Sequence, residues 1–159
     1  MNTSLHSLHS LQQEYRQVTE EKLEVGALIE TWLGVEDGLN LPKGRKGKLK
    51  KLVIVGIDKE NRTCFGSVLV NSRPNPRAEY STAYMQAQYL LSQANYPHFL
   101  RYDSYVDCGV LFAFPMDKLL TGEYYGLLTE NDKTGLFDVL ETTDTLSTKQ
   151  KKRFGIRRR

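Results

Sequence analysis

The sequence predicts an α+β fold that is mainly β: a small, strongly bent sheet or barrel, with helices at its N-terminal side and a helix near its C-terminus. Three observations predict it. The β-branched runs Leu52 to Ile57 and "TCFGSVLVNS" are split by the short polar stretch "KENR", a hairpin pattern. Leu5, Leu8 and Leu11 recur at three-residue steps, a helical spacing. Thr129 stands ahead of "ENDKTGLFDVLE" as a helix N-cap. Several short strands with few helices favour a bent sheet or barrel over a layered α/β fold.

Taken in order, residues 4–34 read as helix. Tyr15, Val18, Leu23, Leu28 and Ile29 continue a broken apolar stripe, with Thr19 as the cap of a second helix and Gly34 as its stop. "VEDGLNLPKGRKGK" is a turn-rich connector. The hairpin follows, and "RPNPRAE" interrupts the sheet with two prolines. "YSTAYMQAQYLL" fits a strand or a helix equally. "YPHFLRYDSYVDCGVLFAF" reads as a loop leading into a strand, with Val110 to Phe114 in the core. Pro115 opens the next element, Gly122 and Gly126 act as breaks, and a helix from about Glu130 to Glu141 turns Leu136, Phe137 and Leu140 inward. The chain thus divides into a helical extension over 1–34, a barrel-like domain over 42–148 and a basic tail over 149–159.

Composition excludes several classes. A length of 159 residues, 40% hydrophobic and 26% charged, fits one globular domain. No apolar run approaches the roughly 20 residues that span a bilayer, and "MNTSLHSLHSLQQEY" lacks the pattern of a secretory signal. A cytoplasmic protein without membrane contact is expected. Cys64 and Cys108 form no CxxC pair, and His6, His9 and His98 have no zinc-cage spacing, so neither a metal nor a cofactor is expected. No G-x-G-x-x-G, Walker A or G-x-S-x-G motif is present, which argues against dinucleotide enzymes, P-loop NTPases and α/β-hydrolases.

Charge is unevenly distributed. "KGRKGKLKK" (Lys43 to Lys51) holds six basic residues and no acid, and "KQKKRFGIRRR" (Lys149 to Arg159) holds seven and no acid. These runs take 13 of the 22 basic residues and leave nine to face all 19 acids, so an acidic body carries two basic runs. Such runs meet phosphate backbones; a solvated loop and a frayed tail are the alternative. Arg45, Lys46, Lys48 and Lys50, with Arg77 and Arg101, are the candidate nucleic-acid contacts. Cations at a strand mouth, here Lys50 and Lys51, stabilise a phosphorane-like transition state, or else keep a sheet edge soluble. "VLVNSRPNPR" sets Ser72 beside Arg73 and Arg77, which suits an oxyanion or a capped turn. In "RYDSYVDCG" (Arg101 to Gly109), Asp103 and Asp107 read as site carboxylates or as acceptors for loop amides. Tyr96, Tyr102 and Tyr105 read as base-stacking rings or as half-buried tyrosines.

Together these stretches resemble the MazF/PemK family of toxins from bacterial toxin–antitoxin systems. "KKLVIVGID" is similar to the family's first strand after a basic loop, "FGSVLVNS" to its second, "YDSYVDCGVLFAF" to a later strand, and "YYGLLTENDKTGLFDVL" to its closing strand, turn and helix. The resemblance covers roughly residues 42–141. It implies an SH3-like barrel, usually dimeric, and metal-independent cleavage of single-stranded RNA, with an antitoxin protein occupying the RNA groove. Lys51 stands where the family has its catalytic Arg, and Ser72 where it has Thr or Ser. Lys51 and Arg73 are then charge stabilisers, Ser72 a hydrogen-bonding group, and His98 or Asp103 the base. The chain departs at Lys51-Leu52, which replaces Arg-Pro, and lysine lacks the planar fork that grips a phosphate bidentately. A non-catalytic nucleic-acid-binding barrel and a protein-interaction module are the competing readings.

Overall fold

A computed structural model describes residues 16–39, 41–69 and 82–156. Seven strands and four helices are present among them: β1 (Ala27–Gly34), β2 (Gly47–Asp58), β3 (Thr63–Val68), α1 (Thr82–Gln86), β4 (Gln88–Leu91), β5 (Ser104–Asp107), β6 (Phe112–Pro115), α2 (Met116–Leu119), β7 (Glu123–Leu127), α3 (Glu130–Thr142) and α4 (Thr148–Arg153). The fold is α+β and mainly strands, as expected. A five-stranded antiparallel sheet runs β6-β3-β2-β1-β7, and β4 pairs with β5 in a second, two-stranded sheet. An antiparallel bridge from Leu69 to Val106 ties the end of β3 to β5. No closed barrel forms among the described residues.

The largest departure from the sequence reading is β1. Residues 27–34 were expected to be helical, yet they form a strand inside the sheet, hydrogen-bonded to β2 on one side and β7 on the other. The chain enters this strand through Gly26, whose φ of +92° interrupts any helix there. Leu28 and Ile29 are both buried because the sheet is covered on both faces, so the two-residue alternation that marks a half-exposed strand is absent. Earlier, Thr19 precedes only a single 3₁₀ turn over Glu20–Lys22. The expected helix over residues 4–15 lies outside the described residues.

The hairpin of β2 and β3 forms as expected, with Ile54 facing Gly66 and a register shift between Ile54 and Gly56 that bends the pair. "YSTAYMQAQYLL" contains both expected elements in succession, α1 and then β4. The strand expected over Val110 to Phe114 begins only at Phe112, and Gly126 sits inside β7 rather than breaking it. Thr129 caps α3 as predicted, accepting from the Asp132 amide at 3.2 Å, and Leu136 and Leu140 are buried.

Two apolar layers sandwich the large sheet. Ile29, Leu33, Leu52, Ile54, Cys64 and Phe114 pack on one face. Leu28, Val53, Val55 and Phe65 pack on the other, against β4, β5 and α3. The C-terminal run is part of the second layer. Residues 149–153 are helical rather than a free tail, and the following Phe154 and Ile156 are buried in the core. Ser147 and Gln150 close a capping box at the start of α4, with hydrogen bonds of 2.8 and 3.1 Å.

Candidate phosphate-binding cleft

Beyond Leu69 the N-terminal half of β2 meets the segment that enters β5. Lys48, Leu49, Lys50, Lys51, Leu69 and Leu100, with Arg101, Tyr102 and Ser104, line a cavity of about 70 Å³ there. That is space for roughly five water molecules, the scale of a phosphate group. The fold therefore joins two stretches far apart in sequence, the first basic run and the start of "RYDSYVDCG".

The charges at this cleft differ from those elsewhere. Arg62 lies between Glu20 at 2.7 Å and Asp117 at 3.0 Å, and Lys118 faces Asp37 at 3.3 Å. Lys48, Lys50 and Arg101 have no ion-pair partner among the described residues. Burial, followed by the charges of Lys48 and Lys51, pulls the Lys50 ammonium below the usual lysine value. Cations that lose hydration and crowd one another without a counter-ion leave a site that an anion stabilises.

Lys51 is placed differently. It faces Glu30 across the β1–β2 ladder, and their charged groups meet at 2.9 Å in a partly buried pair. Its charge is compensated, whereas Lys48 and Lys50 on the same strand have no ion-pair partner among the described residues. The same pair sets a carboxylate against a residue of the cleft, a feature the helical reading of residues 27–34 concealed.

The other candidates divide. Arg45 and Lys46 are exposed on the connector before β2 and do not line the cleft. Ser72, Arg73 and Arg77 lie outside the described residues. Asp103 accepts the Gln93 amide at 2.8 Å. Asp107 accepts from the Gly109 amide at 2.9 Å and the Gln88 side chain at 3.0 Å. Both act as acceptors for loop amides, the scaffold alternative. Ser104 donates to the Tyr102 carbonyl at 2.9 Å. His98 is exposed and outside the cleft lining.

Of the tyrosines, Tyr96 is a core residue. Its hydroxyl bonds Asp132 and the Thr129 amide, while Tyr89 reaches the same carboxylate at 2.8 Å. Burial, then the bond to Asp132, pushes Tyr89 up to about 12. This cluster fixes the N-terminus of α3 on β4. Tyr102, by contrast, is 45% exposed at the cleft. Cys64 and Cys108 are free and buried, and burial raises both thiols, Cys64 to about 11, which suppresses thiolate chemistry. Among the described residues no group of three or more His, Cys, Asp or Glu is gathered to hold a metal, and no helix is long and apolar enough to cross a membrane. Comparison with models of known protein families and with curated proteins finds no significant match for this chain.

Proposed function

We propose that this protein binds single-stranded RNA through the cleft between β2 and residues 100–104 and cleaves it as a metal-independent endoribonuclease of the MazF/PemK kind. The observation that carries the proposal is the convergence of Lys48, Lys50 and Arg101 on one phosphate-sized cavity without carboxylate partners among the described residues. Lys50 and Arg101 hold the non-bridging oxygens of the scissile phosphate, and Arg101 supplies the planar fork that Lys51 lacks. The RNA 2′-hydroxyl attacks the adjacent phosphorus, the P–O5′ bond breaks, the 5′-oxygen leaves as a hydroxyl with a proton taken from water, and a 2′,3′-cyclic phosphate remains. Glu30, in contact with the cleft residue Lys51, takes the hydroxyl proton; His98 is not in the cleft lining, and Asp103 accepts the Gln93 amide. Ser72, three residues along the chain from the cleft residue Leu69, is the further hydrogen-bonding group.

The finer fold in this reading is an SH3-like barrel. It is supported by the bend in the β2–β3 hairpin and by the bridge from Leu69 to Val106 that joins the two sheets. A homodimer, an antitoxin seated in the RNA groove and a cytoplasmic site of action belong to the same proposal. The second reading, a non-catalytic RNA-binding domain, is favoured by the Glu30 partner that neutralises Lys51.

One experiment separates the two. The purified protein is incubated with mixed-sequence single-stranded RNA in EDTA, the ends are mapped, and Lys50→Ala, Lys51→Ala and Ser72→Ala are run beside it. Cyclic or 3′-phosphate ends that disappear in Lys50→Ala support the nuclease. RNA that is retained in a gel shift but stays intact supports the binder. RNA that is neither retained nor cut sinks both.

A further inference from the structure

On the sheet face beside the cleft, Trp32 is 54% exposed, and its strand partner Leu49 is also 54% exposed. Residues paired across an antiparallel ladder point to the same face. Leu49 lines the cleft, so Trp32 stands one strand spacing, about 4.8 Å, from the cleft wall. The indole rests against Gly47: a Cβ at that position would overlap Nε1. Only glycine lets the ring lie this low on the strand. Among the described residues the Trp32 indole makes no hydrogen bond and no aromatic ring contact.

The surroundings select the occupant. Lys51 lies on the same face of the strand as Leu49 and Trp32, while Lys48 and Lys50, which alternate to the other face, line the same cavity as Leu49. An apolar peptide would use the Trp32 and Leu49 surface and leave these cations unmatched. A nucleotide uses both, with its ring on the indole and its phosphate among the ammonium groups. We propose that Trp32 is a base-stacking platform for the nucleotide whose phosphate occupies the Lys48, Lys50 and Arg101 cleft. This rests on the reading of that cleft as an RNA-phosphate site and adds to it the element that grips a base.

Trp32 is the sole tryptophan of the chain, so intrinsic fluorescence reports on this position alone. The test titrates the full-length protein with a 2′-O-methyl hexanucleotide, which lacks the attacking hydroxyl and stays intact, and with an abasic backbone of equal length. The expected result is quenching by the hexanucleotide and none by the abasic backbone. Trp32→Ala then loses roughly 5- to 150-fold in affinity for the hexanucleotide and keeps its affinity for the abasic backbone. Trp32→Phe retains most of the binding, and Lys50→Ala weakens both ligands. Wild-type affinity in Trp32→Ala, or unchanged fluorescence at saturation, overturns the platform and leaves the phosphate cleft standing. Failure of the wild type to bind either ligand overturns the cleft reading and the platform together. Fluorescence that moves with protein concentration and is indifferent to RNA assigns the surface to self-association and overturns the platform as well.

Discussion

The two basic runs are nearly equal in charge and have opposite fates. In Lys43 to Lys51, Lys48 and Lys50 converge with Arg101 on a cavity and find no partner among the described residues. In the run that begins at Lys149, Lys151 and Arg153 serve the fold. Lys151 donates to the Glu141 carbonyl at 2.9 Å, closing the C-terminal end of α3. Arg153 lies over the rings of Phe65 and Phe154, 5.7 and 5.8 Å from their centroids. Charge composition therefore does not distinguish an anion site from a staple. What distinguishes them is the neighbouring group: a helix end and aromatic rings in one case, a cavity shared with Arg101 in the other.

The strongest way to break this comparison is Phe154→Ala. Phe154 packs edge-on against Phe65 at 4.4 Å within the core, so its loss costs about 3–5 kcal/mol in urea unfolding. Wild-type stability would return the C-terminal run to the status of a free tail. The next test concerns the cleft. Lys50→Ala with Arg101→Ala lowers affinity for single-stranded RNA roughly 10- to 100-fold, by loss of charge-assisted hydrogen bonds of about 1.5–3 kcal/mol each that are only partly additive. With two phosphate-neutralising cations removed, the dependence of log affinity on log salt flattens by about 1.4. Lys149→Ala with Lys152→Ala leaves that slope nearly unchanged. Equal slopes in the two double variants would erase the distinction.

Much of this architecture was legible in the sequence where the signal is local. The hairpin announced itself by β-branched runs around "KENR", and α3 by Thr129 and its apolar side, because a turn and a cap are set by adjacent residues. β1 was not legible. Leu28, Ile29 and Leu33 are buried on both faces of a sheet, and that spacing mimics a helical stripe; Gly26, Gly34 and the β-branched Ile29 and Thr31 were the available signal. The misreading hid Glu30 and Trp32, whose meaning comes from the register with Lys51 and Leu49. The pairing of Arg101 with Lys48 and Lys50 depends on a tertiary approach between distant segments, which no periodicity encodes. Asp103 and Asp107 show the reverse: both alternatives were visible, and their hydrogen bonds to loop amides decide between them.

Smaller effects sharpen the contrast between staple and site. Ser147→Ala removes one half of the α4 capping box and costs about 1 kcal/mol of stability, read by thermal unfolding, with no change in RNA affinity. The last effect is the smallest and has the opposite sign. Lys50 is pulled below 10.5 in the folded state, first by burial and then by Lys48 and Lys51. Its charged form therefore disfavours folding, and between the folded and unfolded values the unfolded chain binds more protons. Stability contributed through this group rises with pH across that alkaline window. Below the window Lys50→Met is more stable than the wild type by the relief of this penalty, and the difference narrows as pH climbs toward 10.5. Bound inorganic phosphate supplies the missing counter-charge, raises the Lys50 value again and closes the gap at neutral pH. Unfolding measured for both proteins from about pH 7 to about pH 10, with and without phosphate, checks each step. A gap that is insensitive to pH and phosphate would place Lys50 among the structural cations, beside Lys151 and Arg153.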